Sequence, residues 1–137
     1  VDTLRFNEIR NVKDREQVFI YAKTRDPVEI KFVEDFLQNK GVSYKIFNYD
    51  TKYNEQEYLT YLQNSKYGII VGRHESQGFA LQETLACNVP LLVWNIRNMS
   101  DEWGSGYHPY LATSIPYWSP CCGEFFNDVD KFEKDKE

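Results

Sequence analysis

The chain alternates short apolar runs with longer amphipathic stretches. QVFIYAKT (17–24) is rich in β-branched and aromatic residues and reads as a strand. PVEIKFVEDFLQNKG (27–41) places Val28, Phe32, Val33, Phe36 and Leu37 at helical spacing, with Pro27 suited to a first turn and Gly41 to a C-terminal stop. VSYKIFNYD (42–50) reads as a second strand. NEQEYLTYLQNSK (54–66) reads as a second helix, capped by Asn54 and striped by Tyr58, Leu59 and Leu62. YGIIVG (67–72) is apolar throughout, as a strand covered on both faces must be. FALQETLACN (79–88) reads as a third helix and PLLVWN (90–95) as a further buried strand.

Strands alternating with helices through short loops imply a parallel sheet with helices on both faces. Right-handed crossovers restrict the order, and a Rossmann-like or flavodoxin-like arrangement puts strands 17–24 and 67–72 side by side. The expected fold is thus α/β, a single Rossmann-like three-layer domain over residues 1–137. Residues 1–16 form a polar opening segment. Residues 96–112 read as a loop, TSIPYWS (113–119) as a last short strand, and NDVDKFEKDKE (127–137) as a charged terminal helix.

Composition narrows the class of function. With 42% hydrophobic residues the chain can bury a substantial core, and a formal net charge of -5 argues against a nucleic-acid or anionic-membrane binder. The three cysteines, Cys87, Cys121 and Cys122, form neither a secreted disulfide framework nor a zinc-type spacing. A reduced cytoplasmic setting is expected. No apolar run approaches the ~18 residues of a membrane span, and no signal peptide is visible.

Ligands of open α/β sheets bind beyond the carboxyl ends of the strands, where the order switches direction. Here that crevice would be bordered by KTRDP (23–27) and RHESQG (73–78). One loop carries Lys23 and Arg25; the other carries Arg73, His74, Glu75 and Gly78. Gly78 and Phe79 would open a helix whose N-terminal amides favour a phosphate. Lys23 and Arg25 could add charge-assisted bonds to a diphosphate. Glu83, one turn into the helix, could accept bonds from vicinal hydroxyls. Tyr49 and Asp50 end a strand on the ligand side and are candidates for contact with a nucleobase. The bland alternative is that Glu75 and Glu83 only complement a helix N-terminus, an effect of about 0.3–1 kcal/mol each. His74, His108, the tryptophans and the Cys121–Cys122 pair read as loop or packing residues.

The stretch ESQGFALQETLACNVP (75–90) resembles the E-x7-E motif, of the form E-G-F-G-L-x-x-x-E-A-M-A-C-G-x-P, of the retaining GT-B glycosyltransferases of family four. The resemblance is close over residues 65–95 and follows element order over 17–64. It implies the donor-binding half of such an enzyme, which transfers a sugar with retention from a nucleotide diphosphate sugar. It implies that Glu75 orients the donor sugar and steadies charge near the reacting carbon, and that Glu83 holds the ribose hydroxyls. By the same resemblance the amides of Gly78 and Phe79 meet sugar and phosphate, and Lys23 and Arg25 meet the diphosphate. It implies no cofactor and no metal, and an acceptor-binding domain supplied separately or upstream. Asn88 stands where the family has glycine, a mild change because asparagine tolerates a left-handed C-terminal cap. ATSIPYWSPCCGEF (112–125) also resembles glycosyltransferase-like proteins of giant DNA viruses. Two alternatives stay open: a nucleotide or nucleotide-sugar binding module without catalysis, and an epimerase-like or structural Rossmann domain whose glutamates only cap.

Overall fold

The computed structural model describes residues 2–51, 53–73, 75, 78–97 and 110–127. His74, Trp103, His108 and the expected terminal helix beyond Asn127 lie outside the described residues. Five strands form one parallel sheet: β1 (Gln17–Ala22), β2 (Lys45–Asn48), β3 (Ser65–Val71), β4 (Leu91–Trp94) and β5 (Gly123–Phe126), in the order β2-β1-β3-β4-β5. Helices α1 (Pro27–Asn39), α2 (Glu55–Gln63) and α3 (Phe79–Ala86) make the first three crossovers. β1 pairs with both β2 and β3, as the alternation predicts.

Strand pleating sorts the core into two layers. Phe19, Tyr21, Phe47, Ile70, Leu91 and Val93 face α2 and α3, where they meet Tyr58, Leu59, Leu62 and Leu81. Val18, Ile20, Ile69, Val71, Leu92 and Trp94 face the other way, toward Val33 and Leu37 of α1. The α/β three-layer expectation therefore holds. Gly68 is dictated by this packing: a Cβ there would lie 2.2 Å from Cζ of Phe19.

The helix ends follow their residues. Asp26 and Asn54 accept from Val28 N and Glu57 N as N-caps. Gly41, at φ 70°, closes α1, with Val42 N donating to Leu37 O and Gly41 N to Gln38 O. Asn88 does the same for α3 at φ 56°, with Val89 N to Thr84 O and Asn88 N to Leu85 O. Both are six-to-one, five-to-two caps, so asparagine takes in α3 the left-handed position that glycine takes in α1.

One element differs from expectation. Residues 113–119 are not the last strand; β5 is Gly123–Phe126. The side chains of Thr113 and Ser114 bond to Asn95 Oδ1 and Gly72 O, and Pro116 interrupts any ladder. β5 instead pairs with β4, and Phe126 stacks against Trp94 with ring centroids 5.4 Å apart. Arg15 fastens the opening segment under the sheet, donating to the carbonyls of Arg10, Ser65, Asn88 and Cys87.

Candidate functional site

The sheet order reverses between β1 and β3, so the loops leaving their carboxyl ends border a crevice. Lys23 continues the ladder, its N–H donating to Val71 O at 3.1 Å. Thr24 follows at φ 52°, a left-handed conformation that costs a β-branched residue about 1–2 kcal/mol. The kink sends the two cations of this loop to different places.

Lys23 turns into the crevice. Its Nζ lies 3.3 Å from Glu75 Oε1 and 4.3 Å from the centre of the Tyr49 ring. The side chains of Lys23 and Glu75 are only 11% and 20% exposed, so the pair is partly shielded from water. Three residues singled out from sequence, on three separate loops, thus converge. Asp50 lies in the same 3-10 turn as Tyr49 (Tyr49–Thr51).

Arg25 turns away. Its Nη1 donates to Gly72 O at 3.0 Å and Trp94 O at 2.8 Å, and its Nη2 and Nε donate to the Glu29 carboxylate at 2.7 and 3.4 Å. The guanidinium also lies 5.2 Å from the Trp94 ring centre, and the residue is 4% exposed. Arg25 therefore clamps the carboxyl ends of β3 and β4. It reaches a diphosphate only by abandoning these partners.

Gly78 is the N-cap of α3 at φ 70° and ψ 53°, with no side-chain cap bond. A Cβ would meet Leu81 Cδ1 at 3.0 Å and the Tyr117 hydroxyl at 3.3 Å, so both the left-handed conformation and the tight space favour glycine. Phe79 begins the helix with its ring largely exposed.

Glu83 faces a separate part of the same end of the domain. It lines a cavity of about 310 Å3 with Tyr53, Tyr58, Phe79, Glu55 and Arg5, at the N-termini of α2 and α3. Burial, reinforced by the Glu55 charge, raises its carboxyl pKa above the usual range, with Arg5 opposing the shift. The buried Tyr58 hydroxyl lies beside the Thr84 side chain. Between the two glutamates stand Tyr21 and Tyr53, whose hydroxyls bond to each other. Burial, first of all, pushes both phenols upward, so they remain protonated donors at neutral pH.

Sequence reasoning missed two parts of this arrangement. The first is the tyrosine set: Tyr58 read only as part of the apolar stripe of α2, yet it lines the Glu83 cavity together with Tyr53, to which Tyr21 is bonded. The second is the segment 112–117, which crosses the carboxyl ends of β3 and β4. Glu75 N donates to Thr113 O at 3.0 Å, Ser114 Oγ to Gly72 O at 3.3 Å, and the Tyr117 hydroxyl to Gly78 O at 3.2 Å. The signal lay in Thr-Ser followed by Pro116, which is loop chemistry rather than strand chemistry. Arg73 is half-buried, with its Nε unpartnered among the described residues.

Among the described residues no His, Cys, Asp and Glu grouping could hold a metal ion, and no helix is long and apolar enough to cross a membrane. Comparison of the chain with protein-family models, with curated proteins and with solved structures returns no match.

Proposed function

We propose that this domain binds a nucleotide diphosphate sugar and acts as the donor-binding half of a retaining glycosyltransferase. The observation that carries the reading is the convergence of Lys23, Glu75 and Tyr49 at the β1/β3 switch point. An ammonium has three donors. Lys23 can keep Glu75 and still offer bonds to a phosphate oxygen. The left-handed turn at Gly78 opens α3 toward the same end, and its N-terminal amides add partial positive charge.

In this reading Glu75, held by Lys23 and by its backbone bond to Thr113, orients the donor sugar and steadies positive charge near the reacting carbon. Glu83 and the neighbouring tyrosine hydroxyls accept and donate to the ribose diol in the cavity beside α2. The protein's work is positioning and stabilising the departing diphosphate. Transfer further requires an acceptor-binding domain, separate or upstream.

Arg25 favours a second reading. Its engagement by Gly72, Trp94 and Glu29 leaves Lys23 as the cation of this loop in the crevice, which suits nucleotide binding better than leaving-group stabilisation. A binding module without turnover then results.

Calorimetry with UDP, GDP and ADP tests both. At least one should bind, and Lys23→Met and Glu83→Gln should each weaken it by about tenfold or more, the loss of one charge-assisted bond. Binding without hydrolysis or transfer of the matching sugar nucleotide selects the module. No binding at millimolar concentration, or variants that change only the melting temperature, rejects the donor site.

A further inference from the structure

A second cluster lies at the opposite end of the sheet. Ser119, Pro120, Cys121 and Cys122 form a short turn into β5, with Cys122 N donating to Ser119 O at 2.9 Å. Both cysteines are free thiols. The Ser119 hydroxyl lies 2.8 Å from Cys121 Sγ and 3.8 Å from Cys122 Sγ, so one oxygen lies within reach of both sulfurs. They open onto a groove of about 420 Å3 that is otherwise lined by Val12, Leu85, Asn88, Val89 and Pro90. Cys121 is exposed and Cys122 half-buried against this surface. Gly123 locks the turn: at φ 130°, its Cβ would lie 1.9 Å from Leu91 O.

Adjacent thiols that line one groove can chelate a soft, thiophilic centre, the kind of centre thiolate sulfur favours. The oxygen of Ser119 adds a polar neighbour, and the apolar groove offers room for an organic substituent. We propose that Cys121 and Cys122 form a dithiol site for trivalent arsenicals, with the organic arm in the groove beside Leu85 and Val89. This site is independent of the nucleotide reading. With phenylarsine oxide, two S–As bonds form and the As=O bond breaks. The two thiol protons leave with that oxygen as water, and nothing is oxidised or reduced. Cys87 does not compete. It is fully buried, and burial pushes its thiol up to about 11.

The test titrates the whole chain with phenylarsine oxide under a phosphine reductant, by mass spectrometry and native thiol counting. One arsenical per chain and the loss of both reactive thiols are expected. Cys121→Ser and Cys122→Ser should each weaken binding at least about 100-fold, since the second bond gains its strength from effective concentration. Leu85→Gln should weaken phenylarsine oxide several-fold while leaving arsenite unchanged. Full affinity in either serine variant, two arsenicals per chain, or consumption of Cys87 overturns the dithiol site. An equal effect of Leu85→Gln on both arsenicals overturns the groove's part in it.

Discussion

Arg25 separates a binding role from a scaffolding role more cleanly than any other side chain here. Replacing it with Met keeps most of the volume and removes the fork. The buried Trp94 carbonyl, which accepts at 2.8 Å, loses a charged donor, a change of about 1–3 kcal/mol. The Gly72 carbonyl keeps Ser114 Oγ at 3.3 Å, so its loss is nearer 0.5–1 kcal/mol. The guanidinium stack on Trp94, at 5.2 Å, adds about 0.5–1 kcal/mol. Glu29 is 27% exposed and rehydrates, so its lost pair adds little. The expected total is about 2–5 kcal/mol, a large part of a stability that for such domains is about 5–15 kcal/mol.

For a domain of 137 residues that loss lowers the melting temperature by about 7–17 °C. Calorimetric melts and urea midpoints measure it. Arg25→Lys should lose most of the same stability, because one ammonium cannot span two carbonyls and a carboxylate. A melting temperature within about 2 °C of the parent in Arg25→Met would refute the clamp. If nucleotide affinity fell in that same variant, Arg25 would return to the diphosphate.

Three further outcomes follow from the same geometry. Thr24→Gly should raise stability by about 0.5–1 kcal/mol in urea melts, because strain at φ 52° is relieved at the cost of a more flexible unfolded chain; clear destabilisation would show that the threonine's own contacts outweigh its strain. Glu83 binds its proton more tightly folded than unfolded, so its contribution makes stability fall as pH rises from the ordinary glutamate range through the raised folded value. Glu83→Gln should flatten that slope in melts across acid pH, and an unchanged slope would place the carboxyl in water. Arg15→Met should lower stability by about 3–5 kcal/mol by stranding the carbonyls of Ser65, Cys87 and Asn88, read as a urea midpoint shift with unchanged m-value.

How much of this was legible follows from which forces act locally. Periodicity and caps are local, so the order of strands and helices, the stop at Gly41 and the left-handed Asn88 could be read from their own residues. The pairing of β1 with β3 came from topology rules that need only that order. Where Lys23 and Arg25 point was not local. Both follow one strand, two residues apart, and composition treats them alike. The kink at Thr24 and the open carbonyls of Gly72 and Trp94 divide them, and those carbonyls belong to strands about 50–70 residues away in the chain. The same reason hid β5. GEFF has little strand signal of its own, yet Phe126 fills the space beside Trp94, and Gly123 fits where any side chain would strike Leu91.

That division bears on the two glutamates. Their spacing places both near the start of α3, but spacing could not distinguish a capping pair from a ligand pair. Neither behaves as a cap. The N-cap is Gly78, without a side-chain bond. Glu75 is held by Lys23 and Thr113, and Glu83 lines a cavity where burial and Glu55 work against its charge. A carboxylate kept beside Glu55 and four aromatic residues, Phe6, Tyr53, Tyr58 and Phe79, costs stability that Arg5 offsets only in part. Hydroxyl donors of a bound ligand would supply the rest, and ligand affinity should then fall as Glu83 becomes protonated. Affinity for whichever nucleotide binds, measured across acid pH in the parent and in Glu83→Gln, decides the matter: a fall in the parent that is absent from the variant supports ligation by Glu83, and parallel profiles reject it.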